Sequence, residues 1–183
     1  MARVPRVARL AQSSKLLELL NRLCEKNPFP IRSIFFDKTP EVNWLVPWHQ
    51  DLTIAVKRRI EREGYGPWSI KEGIPHVQPP LEILESMLTV RLHLDDCDET
   101  NGVLRVIPGS HRLGRLSTAQ IAETRYQHEE VSCCVKAGDA LLMRPLLLHA
   151  SSAALSPHHR RVIHLEYATC NLMKGLEWAN RDN

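Results

Sequence analysis

The sequence predicts a mainly β fold, an antiparallel sandwich or barrel with helices at its N-terminus and on its surface. Three observations predict it: short runs rich in β-branched and apolar residues, turn signals between those runs, and no alternation of strand and long helix. With 183 residues there is room for one domain spanning 1–183, since a chain of ~150 residues already buries roughly 70% of its unfolded surface.

Taken in order, Leu16, Leu17, Leu20 and Leu23 recur at helical spacing, and Asn27-Pro28 followed by Pro30 ends the pattern. A helix is expected near 12–26, within a helical N-terminal segment of about 30 residues. The run IRSIFFDK from Ile31 reads as a strand and opens a β core expected over 31–168. Thr53 to Glu63 reads as a helix with Lys57, Arg58 and Arg59 in solvent. Between Gly64 and Pro80 the glycines and prolines are dense enough to predict a long loop, 64–80, without a regular element. Loops of that length are often functional, and Tyr65, Trp68 and Ile70 make this one a candidate flap over an active site.

Downstream the text turns strand-like. MLTVRLHLDD is followed by a turn at Asn101-Gly102, then VLRVIP and a turn at Pro108-Gly109-Ser110. EEVSCCVK, a Gly138-Asp139 turn, ALLM, LLLHA and RRVIHLEYA complete the series.

Composition narrows the function by exclusion. At 43% hydrophobic and 25% charged, the chain lies with globular proteins and away from disordered ones. A net charge of +3 is too small for a nucleic-acid face, so nucleic acid is not an expected partner. The five cysteines are an odd set without a CxxC pair, which argues for reduced thiols and a cytoplasmic location. The most apolar run, Ala140 to Ala150, is far shorter than the ~20 residues of a membrane span, so no membrane partner is expected. Arg3, Arg6, Arg9 and Lys15 precede any acid; this resembles a transit peptide, and an amphipathic surface helix explains it equally well.

The chemistry concentrates in VPWHQDLT. His49 and Asp51 stand two apart, and in an extended chain alternate side chains share a face, so imidazole and carboxylate can grip one ion. His149 follows the apolar run LLMRPLLL and can supply a third ligand from the end of a core strand. Two histidines and one carboxylate leave coordination positions open, the arrangement that non-heme iron(II) oxygenases use. Eleven residues beyond His149 stands Arg160, whose planar fork suits a carboxylate, and Ser151 can add a hydroxyl.

Together these segments resemble the phytanoyl-CoA dioxygenase family. The resemblance rests on WHQD at 48–51, ETNGVLRVIPGSHR at 99–112, and His149 with Ser151 and Arg160, and it runs from about Ile31 to Ala168. It implies a double-stranded β-helix of the jelly-roll or cupin kind. It also implies iron(II) held by His49, Asp51 and His149, and 2-oxoglutarate held by Ser151 and Arg160. O2 would be the oxidant, ascorbate a supporting reductant, and the reaction hydroxylation of an unactivated carbon in a small-molecule substrate, with 2-oxoglutarate converted to succinate. A non-catalytic metal-binding or sensor protein of the same lineage is the alternative. Asp51 argues against halogenation, because similar halogenases carry a small residue there.

Several positions need a local reading beside the family one. His111 is expected to support the site rather than ligate metal, and His76, His93, His128, His158, His159 and His164 receive no metal role. Hydrophobic alternation through Ile163, Leu165 and Tyr167 would send Arg161 inward, whereas the family spacing selects Arg160. Only 48 residues precede His49, fewer than is usual in the family, which implies a reduced upstream segment and a more open pocket. Arg91 stands where many relatives have a tryptophan. Thr89, Arg91 and His93 share one strand face, so Arg91 either adds a cation beside the co-substrate or pairs with an acid such as Glu166 or Asp95.

Overall fold

The computed structural model describes residues 4–39, 41–155, 158–173 and 175–181. Along the chain run α1 (Pro5–Ala11), α2 (Ser14–Asn21), β1 (Phe29–Lys38), β2 (Val46–His49), β3 (Ile54–Ala55), β4 (Trp68–Lys71), β5 (Ile74–Val77) and α3 (Leu81–Ser86). They are followed by β6 (Leu88–His93), β7 (Leu104–Val106), a 3-10 turn (Ser110–Leu113), α4 (Thr118–Gln127), β8 (Val131–Ser132), β9 (Ala140–Met143), β10 (His149–Ser151) and β11 (Arg160–Ala168). The strands form sheets in the orders β1-β11-β6-β9, β2-β10-β7-β8 and β3-β5-β4. The expected mainly β architecture with N-terminal helices is therefore present.

The chain divides into two compact units and passes between them inside β1, after Asp51, and inside β6 and β11. The first comprises Met1–Ser33, Leu52–Leu88 and Leu165–Asn183. Its helical start is two short helices rather than one: the chain breaks at Gln12, and Ser13, extended at φ −63° and ψ 139°, begins α2. Tyr167, fully buried, donates its hydroxyl to the Ala11 carbonyl at 2.9 Å and so anchors the end of α1.

Two expectations in this unit are corrected. Thr53 to Glu63 is not a helix. Ile54, Ala55 and Val56 are consecutively buried, and their backbone bonds reach distant partners in β5 and at Trp178, so tertiary pairing overrides the local pattern. Nor is 64–80 a structureless loop, for β4 and β5 pair antiparallel from Trp68↔Val77 to Lys71↔Ile74. The turn between them is Glu72-Gly73, with φ +50° and +76°, and two successive positive φ values make the type I′ geometry that suits a tight hairpin. Trp68 is half-buried with the Arg59 guanidinium 5.5 Å from its ring centroid.

The second unit comprises Ile34–Asp51 and Thr89–His164. Leu104 and Val106 of β7 pack against Met143 of β9, joining two sheets through an apolar layer. Gly102 follows Asn101 in the expected turn at φ +75°. A Cβ there would lie 2.7 Å from the Ser152 carbonyl oxygen and 3.1 Å from Lys38 Nζ, so glycine is needed for its conformation and for the close approach.

Candidate metal centre

His49 ends β2 and His149 begins β10, and the two are direct partners across the antiparallel pair. Residues opposite one another in such a ladder hold their side chains together, and here the ring centroids are 4.2 Å apart. Asp51 lies just past β2, its N–H donated to the Pro145 carbonyl at 2.9 Å. Its two oxygens are 3.6 Å from His49 Nε2 and 3.7 Å from His149 Nε2.

Both rings face this carboxylate for the same local reason. His49 Nδ1 lies 2.8 Å from the Pro47 carbonyl oxygen and His149 Nδ1 2.7 Å from that of Leu147. A carbonyl only accepts, so each Nδ1 carries the proton and each Nε2 presents its lone pair toward Asp51. A carbonyl behind a liganding imidazole is the support that metal-bound histidines commonly use. Burial pushes the His149 imidazole down to about 4, with His49 adding to the effect and Asp51 opposing it, so the ring is neutral at pH 7. Burial pushes His49 down too, but the Asp51 carboxylate outweighs it and the ring ends above its ordinary value. Asp51 is pushed up by burial, yet the adjacent His49, His149 and His164 hold it well below the usual carboxylate range.

The donor set fits a divalent transition metal. Two imidazole nitrogens and a carboxylate oxygen lie within 4.8 Å of one another, and these residues are the only such group of three among the described residues. Donors about 2.1 Å from one ion would stand roughly 3.0 Å apart at right angles, so the side chains would draw together on the ion to complete the set. His111, in the 3-10 turn, is not part of it. Its neighbour Ser110 is the supporting residue instead: the Leu148 N–H donates to Ser110 Oγ at 2.8 Å, fixing the backbone just before His149.

Gln50, between the two ligands, points the opposite way and is 6% exposed. Its Nε2 donates to the Gly114 and Leu146 carbonyls, both at 2.8 Å, and its Oε1 accepts from Leu116 N–H at 2.8 Å. Both its N–H donors and its carbonyl oxygen are used to pin the strand that carries His49 and Asp51. Sequence reading passes over this residue because a glutamine between two ligands carries no motif of its own.

A buried polar face lies in the same unit. Arg160, 3% exposed, donates from Nη1 to the Gly102 carbonyl at 2.5 Å and meets the Cys97 thiol. Arg161 is exposed and doubly bonded to Asp95 through Nε and Nη2, at 2.9 and 2.7 Å. It is therefore Arg160 that points inward, against the hydrophobic alternation, because its face of β11 also carries His164. Ser151 Oγ accepts from Lys38 Nζ at 3.1 Å, and Lys38 also donates to the Ser152 carbonyl at 2.6 Å. Lys38 is fully buried. Sequence reading misses it, although Phe36 and Lys38 alternate on one face of β1 and a lysine in phase with a core position is a readable signal. Burial, then the nearby Arg160, push the Lys38 amine down to about 8.

Arg91 belongs to this face as well. Its Nη1 is 3.2 Å from His164 Nδ1, and its guanidinium carbon is 5.6 Å from the Phe36 ring centroid. The two acids considered for it are engaged elsewhere: Glu166 accepts from Arg32 at 3.2 Å, and Asp95 holds Arg161.

The model of the phytanoyl-CoA dioxygenase (PhyH) family matches residues 3–162. The chain belongs to that family. A PhyH relative from Oryza sativa subsp. japonica, phytanoyl-CoA dioxygenase 1, is 28% identical over 174 residues, covering 90% of this chain and 52% of the rice protein. The chain thus spans about half the length of the curated relative it matches.

Solved structures share the fold of this PhyH chain. AviO1 from Streptomyces viridochromogenes Tue57 superposes with a TM-score of 0.61 at 25% identity, over 86% of this chain and 58% of that one. EctD from S. alaskensis with bound Fe gives 0.69 at 24% identity, over 92% and 54%. HygX from Streptomyces hygroscopicus, with nickel and 2-oxoglutarate bound, gives 0.61 at 18% identity, over 91% and 66%. The fold is accordingly the expected double-stranded β-helix. Among the described residues, no helix is long and apolar enough to cross a membrane.

Proposed function

We propose that this PhyH chain is an iron(II)- and 2-oxoglutarate-dependent oxygenase that hydroxylates an unactivated carbon of a small molecule and releases succinate and CO2. The observation that carries the reading is the pair of cross-strand histidines, each fixed through Nδ1 with Nε2 turned to one carboxylate. His49, Asp51 and His149 would hold the iron; bound there with the keto acid, it supplies the activation of O2. Arg160 and Ser151 would hold the distal carboxylate of 2-oxoglutarate, and Arg91 would set a further positive charge in the same interior. The support for Arg160 is its burial beside Ser151's partner Lys38, while Arg161 is engaged with Asp95 on the surface. Among structural neighbours, EctD has been crystallised with 2-oxoglutarate and 5-hydroxyectoine, and SnoN is described as an α-ketoglutarate-dependent epimerase. Hydroxylation is the simplest of these outcomes and the one proposed. The five free cysteines fit a reducing cytoplasm.

Purified protein supplied with ferrous iron, ascorbate and 2-oxoglutarate should consume O2 and form succinate, faster when a panel of small molecules includes the substrate. Iron binding with no succinate under any of these conditions would replace the enzyme by the metal-binding or sensor protein.

A further inference from the structure

The interior of the second unit holds an imbalance of charge. Lys38, Arg91 and Arg160 are 0%, 6% and 3% exposed, and among the described buried residues of this unit there is no aspartate or glutamate. Arg160 is the strongest cationic influence on both Lys38 and Arg91, so the three form one electrostatic group. The acid that acts most strongly on Arg91 is the half-buried Asp51. Nearby surface acids are occupied outside the group: Asp95 by Arg161, Asp96 by Lys136, and Glu130 by Arg105 and Arg125.

A divalent metal and a dianionic keto acid cancel one another, which leaves three cations against one carboxylate. Buried charge without a counter-charge is strongly unfavourable. Two of the cations have their partners. Lys38 donates to Ser151 and Ser152, and Arg160 is the proposed anchor of the keto acid. Arg91 is held only at Nη1, by His164, with Phe36 near its guanidinium face, and its buried Nε has no hydrogen-bond partner among the described residues. The Nε edge of a guanidinium is one of the two that grip a planar carboxylate through two parallel bonds.

We infer that the substrate carries a carboxylate, and that Arg91 receives it and selects for it. This rests on the oxygenase reading and adds a substrate class to it. A carboxylate, being flat and singly charged, matches the unpartnered Nε edge of Arg91 better than a phosphate does.

The test uses the full chain loaded with Co(II) in place of iron, titrated calorimetrically with 2-oxoglutarate and then with butyrate, its neutral isostere butyramide, or inorganic phosphate. The wild-type complex should bind butyrate at least about tenfold more tightly than butyramide, the scale of one charge-assisted bidentate contact. Arg91→Gln should abolish that preference while leaving 2-oxoglutarate affinity within about threefold, less than half of one decade on the same scale. Arg91→Lys, which keeps the charge and loses the fork, should retain part of it. Equal binding of butyrate and butyramide by the wild type overturns the inference without any variant. So does an Arg91-dependent preference for phosphate over butyrate. An Arg91→Gln protein that loses 2-oxoglutarate as severely as Arg160→Gln moves Arg91 into the co-substrate site; the substrate class then falls and the oxygenase reading stands. A Co(II)-loaded wild type that takes no 2-oxoglutarate overturns both.

Discussion

Replacing Gln50 by methionine keeps the side chain's bulk and removes its amide. Three hydrogen bonds are lost, to Gly114, Leu146 and Leu116, and two carbonyls and one N–H lose their partner in a site that is 6% exposed. Each such loss costs about 1 kcal/mol when water can compensate and up to about 3 kcal/mol when it cannot. Allowing for shared relaxation, the total is roughly 3–5 kcal/mol, near the top of what single substitutions do. For a chain of this size each kcal/mol lowers Tm by about 2–4 °C, so thermal unfolding should move down by roughly 6–20 °C. Because Gln50 fixes the strand between His49 and Asp51, metal affinity should also fall, by the about 10- to 100-fold typical of lost outer support. Calorimetric unfolding of the apo-protein and Co(II) titration read the two effects separately. A Gln50→Met protein with unchanged Tm and unchanged Co(II) affinity would refute the reasoning, since it would mean the three bonds do not hold the ligand strand.

Other outcomes follow from the same interior. Asp51→Ala removes the anionic member of the triad and should lower iron affinity by more than the about 100-fold upper range for outer-support losses, measured by competition with a chelator. Arg160→Ala should raise the dissociation constant for 2-oxoglutarate by the equivalent of about 1.5–3 kcal/mol, while Arg161→Ala, which breaks only the Asp95 pair, should leave it unchanged; the reverse order would reassign the role. His93 is a pH probe: burial, then Arg91 and Arg160, push it from 6.5 down to about 4. The unfolded chain takes up that proton first, so the stability linked to neutral His93 is fully present above pH 6.5 and is lost as pH falls toward 4, by about 3 kcal/mol at most. Urea melts of the apo-protein across that interval should show a shallower pH slope for His93→Leu than for wild type; identical slopes would exclude the assignment.

The parts legible in the sequence are those whose physics is local. Strand β11 and the strand run at β6 follow from their β-branched text. His49, Asp51 and His149 stand out because imidazole and carboxylate two residues apart fall on one strand face, where they can share an ion. Arg160 needs the family spacing, since alternation alone favours Arg161; the alternation misleads because β11 carries polar side chains on a buried face. Ile54 to Val56 mislead for a different reason. Three residues cannot display a period, and their partners lie at Val77, His76 and Trp178, far along the chain. The β4–β5 hairpin is obscured when glycines and prolines are counted as loop, although Gly73 in a two-residue connection between the two strands is itself a turn signal. Gln50 and Lys38 stay silent because a polar residue announces its type and not its partner.

The pairing of β2 with β10 is irregular: His149 faces His49, but Ser151 faces Val46, so β2 spends three residues where β10 spends two. Pro47 and Trp48 together oppose Ala150, and the one extra residue decides which side of the sheet each later residue of β2 occupies. The metal centre is thus encoded in chain length as well as in side chains. Substitutions at Pro47 or Trp48 act by degrees, whereas deleting one residue there restores an even ladder and sets the neighbour of His49 opposite His149 in its place. For such a site the number of residues in this short stretch constrains the ligand geometry more tightly than their identities do.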